Sequence, residues 1–374
     1  MASPYEERRG GILLDESAFE DEDPQVIKFL REKNLIPLRW DDPKIGTIAR
    51  ILGFALGDGH LGEMSGRLTL SFYGKEETLR ELKKDLEGLG ISATLYVRER
   101  DYEIETVSGR YSGKSLSAEL RVASRSFALL LEKLGMPRGD KTNKSYRVPE
   151  WIMEAPLWVK RNFLAGLFAA DGSIVEFKGV TPLPINLTQS REEEFEKSLL
   201  EFMNDVARLL EEFGIKSTVY KVKSKKGVTY RLALVGGEES IRNFLGKINY
   251  EYDLEKKEKG LIAYAYLKFK ERVKEERKRA MDTIKRVYAE TGSVELAYLK
   301  VKDTVNRRFV ERTIYEGDRE PRVPKDFPTF EEFAREKGYE GGVSSLKRSL
   351  ELSALHLNTT GSMTSASTTR PTTS

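Results

Sequence analysis

Apolar and polar positions along this chain follow two periods, and their order repeats. From Leu82 to Arg100, "LKKDLEGLGISATLYVRER" places apolar residues at helical spacing up to a Gly-Ile pair and then at every second position. "VARLLEEFGIKSTVYKVKS", Val206 to Ser224, does the same. Both predict an amphipathic helix, a glycine cap and a strand. Downstream, "ELRVASRSFALLLEKLG" (Glu119 to Gly135) and "RLALVGGEESIRNFLGKI" (Arg231 to Ile248) each predict a strand running into a helix. Upstream, "RLTLSF" (Arg67 to Phe72) and "PINLTQ" (Pro184 to Gln189) supply one more strand per copy. The order α-β-β-α-β-β-α therefore occurs twice. Four antiparallel strands per copy make a curved sheet. Two such half-domains joined about a pseudo-twofold axis would present a long concave surface suited to duplex nucleic acid.

The flanks read differently. Residues 1–44 form an acidic appendage, with Glu20-Asp21-Glu22-Asp23 ahead of Pro24 and a short helical pattern, where acid next to a helix start offsets the macrodipole. Residues 45–150 and 151–267 are the two repeats. Residues 268–342 turn helical and basic, and the break at Thr291-Gly292-Ser293 splits two amphipathic helices in the manner of a helix-turn-helix, with Asn306, Arg307, Arg308 and Arg312 on the later one. A solvated basic helix pair packed on the core is the competing reading. Residues 343–374 decay into a Ser/Thr-rich tail without core formers, which predicts disorder.

Composition narrows the chemistry. No apolar run reaches the length of a membrane span, so no membrane partner is expected, and a chain of 374 residues has room for two or three domains. Zero Cys excludes disulfides, thiolate catalysis and Cys-ligated metals, and a cytosolic, prokaryotic setting is expected. With only His60 and His356, imidazole triads and His-rich metal sites are excluded too, so any metal must sit on carboxylates. Two Gln beside abundant Lys, Arg and Glu suit a thermophilic source. Net charge is only +3, but Met1 to Asp42 carries 6 Lys/Arg against 11 acids while Leu267 to Arg312 carries 14 against 8. Polyanion contact is favoured by the second region.

Each repeat opens on a related string, "ILGFALGDG" at Ile51 to Gly59 and "LAGLFAADG" at Leu164 to Gly172. Small residues at the third and seventh places, Gly53 and Gly57, then Gly166 and Ala170, give each helix a smooth stripe along which two backbones can approach closely. The closing Asp-Gly sets Asp58 and Asp171 at helix C-termini, side by side, with a chain-reversing Gly behind each. A carboxylate there is unfavourable, because the helix dipole and its orphan carbonyls are already negative, and something must compensate. Two such aspartates beside free backbone carbonyls, at Gly57 and Ala170, make an oxygen-rich site for a hard divalent cation, Mg2+ or Mn2+.

These paired strings resemble the signature of the LAGLIDADG homing endonuclease family, and the second departs from the nine-letter consensus only at Phe168 and Ala169. The resemblance covers about Ile45 to Tyr266. It implies an α+β fold: a monomer of two pseudo-symmetric αββαββα half-domains with curved antiparallel sheets, here with a helical C-terminal extension. It further implies a site-specific DNA endonuclease, a metal-dependent hydrolase that cuts both strands of a long, nearly asymmetric double-stranded DNA target. In the family, basic residues and a Gln or similar polar group surround the two aspartates. Gln189 stands at the matching strand end of the second repeat, whereas the first has "LSFYGK", where Lys75 would substitute. Lys141 and Lys256 resemble the lysines that follow the last helix of each half, with Lys144 and Lys257 as competitors. Arg98, Arg100, Lys221, Lys223, Lys225 and Arg231 are the groove-facing candidates for DNA contact, though alternate exposed strand positions look the same.

Other functions are compatible with parts of the same sequence. A non-catalytic DNA-binding regulator would not need Asp58 and Asp171, and an RNA maturase would use the same basic groove. Family members are often embedded in inteins or introns. No Cys begins this chain and Leu357, not His, precedes Asn358, so no self-splicing is expected. "GRYSGKS" (Gly109 to Ser115) approaches a phosphate-binding loop, but Ser108 stands where Gly is required.

Overall fold

The computed structural model describes residues 11–64, 66–106, 109–224, 227–316 and 320–339. The expected disordered tail lies outside them. At the start, β1 (Ile12–Leu14) pairs with β2 (Leu38–Arg39), and between them α1 (Pro24–Glu32) buries Val26 and Leu30. Asp23 caps that helix by accepting from Gln25 N at 2.9 Å, so the acidic run does serve a helix start.

The first repeat runs as its pattern predicts. A largely buried α2 (Lys44–Asp58) passes directly into β3 (Gly59–Met64) and β4 (Arg67–Gly74). Then come α3 (Glu76–Gly88), the long pair β5 (Ala93–Thr106) and β6 (Gly109–Val122), and α4 (Arg125–Lys133). The antiparallel sheet has the order β3-β4-β6-β5. "GRYSGKS" belongs to β6 and is no phosphate loop. After the short α5 (Glu150–Glu154), α6 (Leu157–Asp171) opens the second repeat.

The second repeat departs from four strands. β7 (Phe177–Lys178) and β8 (Thr181–Pro182) form a separate two-residue hairpin, and β9 (Asn186–Arg191), β10 (Ser217–Val222) and β11 (Val228–Leu234) make a three-stranded sheet of order β10-β11-β9. Between them lies α7 (Glu196–Glu211), and α8 (Gly237–Lys247) follows. Gly172 bridges Leu187 as Gly59 pairs with Phe72, but the strand that would follow does not continue. Phe177 is drawn away instead, stacked on Phe330 at 4.2 Å and edge-on to Tyr266. The Gly-Ile caps hold in both copies: Gly90 and Gly214 have φ of 74° and 71°, and Ile91 N and Ile215 N bond back to Leu86 O and Leu210 O.

One helix of 38 residues, α9 (Leu254–Thr291), then crosses the molecule over about 57 Å. It runs unbroken through Leu267 and Lys268, where the sequence pattern placed a division. Its far end packs with α10 (Val294–Val301) and α11 (Arg307–Tyr315) around a small separate core that includes Met281, Ile284, Ala297 and Val310. The turn between α9 and α10 falls at the expected break, with Gly292 left-handed at φ 64° and Ser293 capping α10, but the helix after it ends at Val301. Asn306, Arg307, Arg308 and Arg312 therefore belong to the next helix, α11, and not to the one expected to carry them. Finally α12 (Phe330–Glu336) folds back so that Phe327, Phe330 and Phe333 enclose Tyr266.

The centre of the main core is the α2–α6 contact. A methyl group built on Gly53 would overlap Phe163 O and approach Leu167 N to 3.0 Å, and one on Gly166 would overlap Arg50 O and approach Phe54 N to 3.0 Å. The two backbones touch with no side chain between them. Gly166→Ala should therefore cost about 3 kcal/mol, at the upper end for overpacking because backbone cannot yield as a side chain can. Urea unfolding of the variant beside the parent measures it, and a change under about 0.5 kcal/mol, typical of surface positions, would contradict this packing.

Candidate functional site

Close approach of α2 and α6 brings their C-termini together. Asp58 ends α2 and Asp171 ends α6, and a methyl on Gly57 would meet Asp171 Oδ2 at 2.6 Å, so this carboxylate lies against the neighbouring helix backbone. The glycines that follow are not left-handed: Gly59 has φ −99° and Gly172 φ −76°. They are glycine for space. A methyl on Gly59 would press on Ala55 O, and one on Gly172 on Phe168 O, so the chain turns tightly past the last helical turn without reversing.

The compensation that the helix ends require is supplied by lysine. Lys141 Nζ donates to Ala55 O and Leu56 O at 3.0 Å and to Gly57 O, capping the end of α2. Lys256 Nζ donates to Ala169 O at 2.7 Å and Ala170 O at 3.4 Å, capping α6. Thus the carbonyls of Gly57 and Ala170, expected as metal ligands, are engaged by ammonium groups. Lys256 comes from the first turn of α9 and Lys141 from a segment at residues 138–149 linking the two repeats. Of the competitors, Lys257 pairs with Glu251 at 2.8 Å, while Lys144 is exposed.

Gln189 Nε2 donates to Asp171 Oδ2 at 2.5 Å. The first repeat offers nothing equivalent, because strand register sets Gly74 at the corresponding place, two residues beyond the partner of the motif glycine in each repeat. Lys75 pairs with Glu255 at 2.5 Å and does not substitute.

Burial acts on all four charges. It raises the carboxyl of Asp58 against the pull of Lys141 and Lys256. Asp171 is pushed up to about 7, by burial first and by the Asp58 charge second. Burial pulls Lys141 down to about 8, opposed by the two aspartates, and lowers Lys256 in the same way. A carboxyl and an amine near neutrality can hold or pass a proton at little cost.

No group of three or more His, Asp or Glu gathers as a metal cluster among the described residues. The donor set is two carboxylates. That set fits Mg2+ or Mn2+, which keep several waters and bind through one or two carboxylates together with phosphate oxygens.

The candidate contact residues divide. Register places Arg98 on the face of the first sheet that carries Tyr96, Glu119 and Arg121, away from the helices. Arg231 shares the open face of the second sheet with Tyr220 and Thr188. Lys221 does not: it lies on the helix side, paired with Glu196 of α7 at 2.8 Å, because a strand alternates faces and its position has the wrong parity. Lys223 is exposed beyond the end of β10. The side chain of Arg100, and all of Lys225, lie outside the described residues. In the three-helix cluster Asn306 is the N-cap of α11, Arg307 pairs with Glu295 and Glu311, and Arg312 pairs with Glu316. Arg308 is exposed, with no ion pair among the described residues.

Arg191 was not singled out in the sequence, although a basic residue at the core-facing parity of β9, in line with Leu187 and Gln189, is a visible signal. It is 2% exposed and its guanidinium stacks 3.7 Å from the Tyr146 ring.

Residues 158–249 match the LAGLIDADG-like domain, a span that holds Asp171 and Gln189 but not Asp58, Lys141 or Lys256. A protein of Pyrococcus furiosus named tRNA-splicing ligase RtcB is 75% identical over 92% of this chain and 35% of its own length. Replication factor C small subunit of Methanocaldococcus jannaschii is 32% identical over 85% of this chain and 17% of its own length. A solved complex of the homing endonuclease I-DmoI with DNA and Mn shares 18% identity over 55% of this chain and 97% of its own, at a TM-score of 0.35. The chain spans about a third of the length of the first curated relatives it matches.

These relatives correct the function expected from the resemblance. Proteins 67–75% identical over nine-tenths of the chain carry the name of a tRNA-splicing ligase, not of a DNA endonuclease or other hydrolase. That overturns the expected double-strand DNA homing endonuclease and its hydrolytic reaction. What stands is a mixed α and β chain with antiparallel sheets, of which residues 158–249 match the model of a LAGLIDADG-like domain. No helix among the described residues is long and apolar enough to cross a membrane.

Asp171 sets a pH dependence. Its folded pKa lies above the ordinary carboxylate value, so its contribution to stability is full below about pH 4 and is lost as pH rises through about 7. Asp171→Asn removes that loss. Without divalent metal, the variant should exceed the parent by about 1–3 kcal/mol at pH 8 and show little advantage at pH 4. Urea melts in a chelator at both pH values read the difference, and an equal gain at both would sink the assignment.

Proposed function

We propose that this chain is a nucleic-acid-binding module that holds Mg2+ or Mn2+ between Asp58 and Asp171 and sets a phosphodiester backbone against them. One observation carries it: two carboxylates converge at touching helix ends, with the ammonium groups of Lys141 and Lys256 beside them. Carboxylates alone would repel a phosphate, and lysines alone would not hold a metal. Together they suit a cation shared with an anionic backbone. When bound, the metal would draw phosphate oxygens toward the aspartates, while Gln189 orients Asp171 through its hydrogen bond.

In this reading residues 45–150 and 151–267 are half-domains related by a pseudo-twofold axis between α2 and α6, and the chain acts as a cytoplasmic monomer. The open sheet faces, with Arg98 and Tyr96 on one and Arg231 and Tyr220 on the other, lie along the nucleic acid. Arg308 and the remaining basic residues of 268–342 add backbone contact. Duplex DNA suits such strands, because its major groove admits a two-stranded ribbon whereas that of A-form RNA is too narrow for side chains to read. The name of the relatives makes tRNA the second reading. The same stretch matches two differently named proteins while forming about a third or less of each, which supports a module with a ligand of its own.

Fluorescence anisotropy with labelled duplex DNA, duplex RNA and tRNA tests the proposal. In Mg2+ at moderate salt, wild type should hold duplex DNA more tightly than in chelator. Asp58→Asn or Asp171→Asn should remove that metal-dependent gain, roughly tenfold in affinity or about 1.4 kcal/mol. Preference for tRNA would move the assignment to the second reading. Metal-independent binding, or none, would defeat it.

A further inference from the structure

Arg191 ends β9 two residues after Gln189, and its surroundings are unusual for a cation. It makes no ion pair among the described residues, and its Nε and Nη2 have no hydrogen-bond partner there. An arginine buried without a counter-ion is strongly unfavourable unless geometry repays it. What it has is one clasp. Nη1 donates to Tyr146 O at 3.0 Å and to Ser198 Oγ at 2.6 Å, and the guanidinium plane lies against the Tyr146 ring.

Tyr146 belongs to the strap of residues 138–149 that carries Lys141. At one end Gly139 N bonds to Leu61 O in β3 at 2.7 Å. On the other side of Lys141, Glu192 N donates to Thr142 O at 2.8 Å, next to Arg191 in the chain, and Arg147 pairs with buried Asp205 of α7. The strap is thus stitched to the first sheet before Lys141 and to the second repeat after it. The lysine itself spans the gap into the end of α2.

We propose that Arg191 is the positioning residue for Lys141: by clasping Tyr146 it fixes the strap to the second repeat and so holds the ammonium on the α2 carbonyls. Its planar fork and stacking face suit this task, and a lysine offers neither. The proposal takes its functional meaning from the nucleic-acid reading above. Its test uses no nucleic acid, so the two fail separately.

Pulse acylation of the whole chain with an amine-reactive ester at one fixed pH, read by mass spectrometry, reports the accessibility of Lys141 against Lys256 in the same molecule. In Arg191→Met, Lys141 should label roughly tenfold or more faster than in the parent while Lys256 stays protected, because only the strap is loosened. Arg191→Lys should fall between the two. If Arg191→Met does not fold, Arg191→Lys carries the same comparison alone. Unchanged protection of Lys141, or Lys141 and Lys256 becoming reactive together, would show Arg191 to be a core residue without this role.

Discussion

Two helix backbones meet at Gly53 and Gly166 with nothing between them, and most of the molecule follows from that contact. Any side chain at these places would part α2 from α6 and take Asp58 away from Asp171. Apolar residues on the remaining sides of both helices bury them among the sheets, so the pair stays central and its ends are fixed. Convergence at the C-termini is electrostatically costly: two carboxylates join two sets of unpaired carbonyls, all negative. The lysine ammoniums answer that cost within the protein, and in doing so they place two cations beside the aspartates.

The site is built from segments far apart in the chain, at 58, 141, 171, 189 and 256. Each is delivered by a different device: helix ends for the aspartates, a strand end for Gln189, a strap for Lys141 and the first turn of a long helix for Lys256. Burial is what tunes it. Both aspartates are raised and both lysines lowered, chiefly by loss of water, and their mutual attraction only partly restores ordinary values. The two repeats contribute unequally, since the first has Gly74 at the position equivalent to Gln189 and its Lys75 is paired with Glu255.

The resemblance and the relatives speak to different things. The nine-residue strings are packing devices, and small residues at fixed spacing record how two helices touch, not what the touching ends act on. A family likeness drawn from them carried the fold further than the activity. Relatives 67–75% identical to this chain bear a ligase name, but that name belongs to chains about three times as long. A function for this segment has to rest on its own carboxylates, lysines and open strands.

Period and local chemistry in the sequence were enough for the helices, the Gly-Ile caps at Gly90 and Gly214, the smooth stripes and the two aspartates, because each depends on neighbours a few residues away. Sequence even marked Lys141, Lys256 and Gln189, through the resemblance. Tertiary structure alone decided what depends on distant partners. It gave the second repeat a three-stranded sheet and a separate short hairpin, with Phe177 of the hairpin joined to an aromatic cluster built from residues beyond 260. It turned Lys221 to the helix side and committed Asn306, Arg307 and Arg312 to caps and ion pairs. It also revealed Arg191. A basic residue looks alike in any sequence, and only packing determines whether its charge meets solvent, a carboxylate or the ring of a tyrosine.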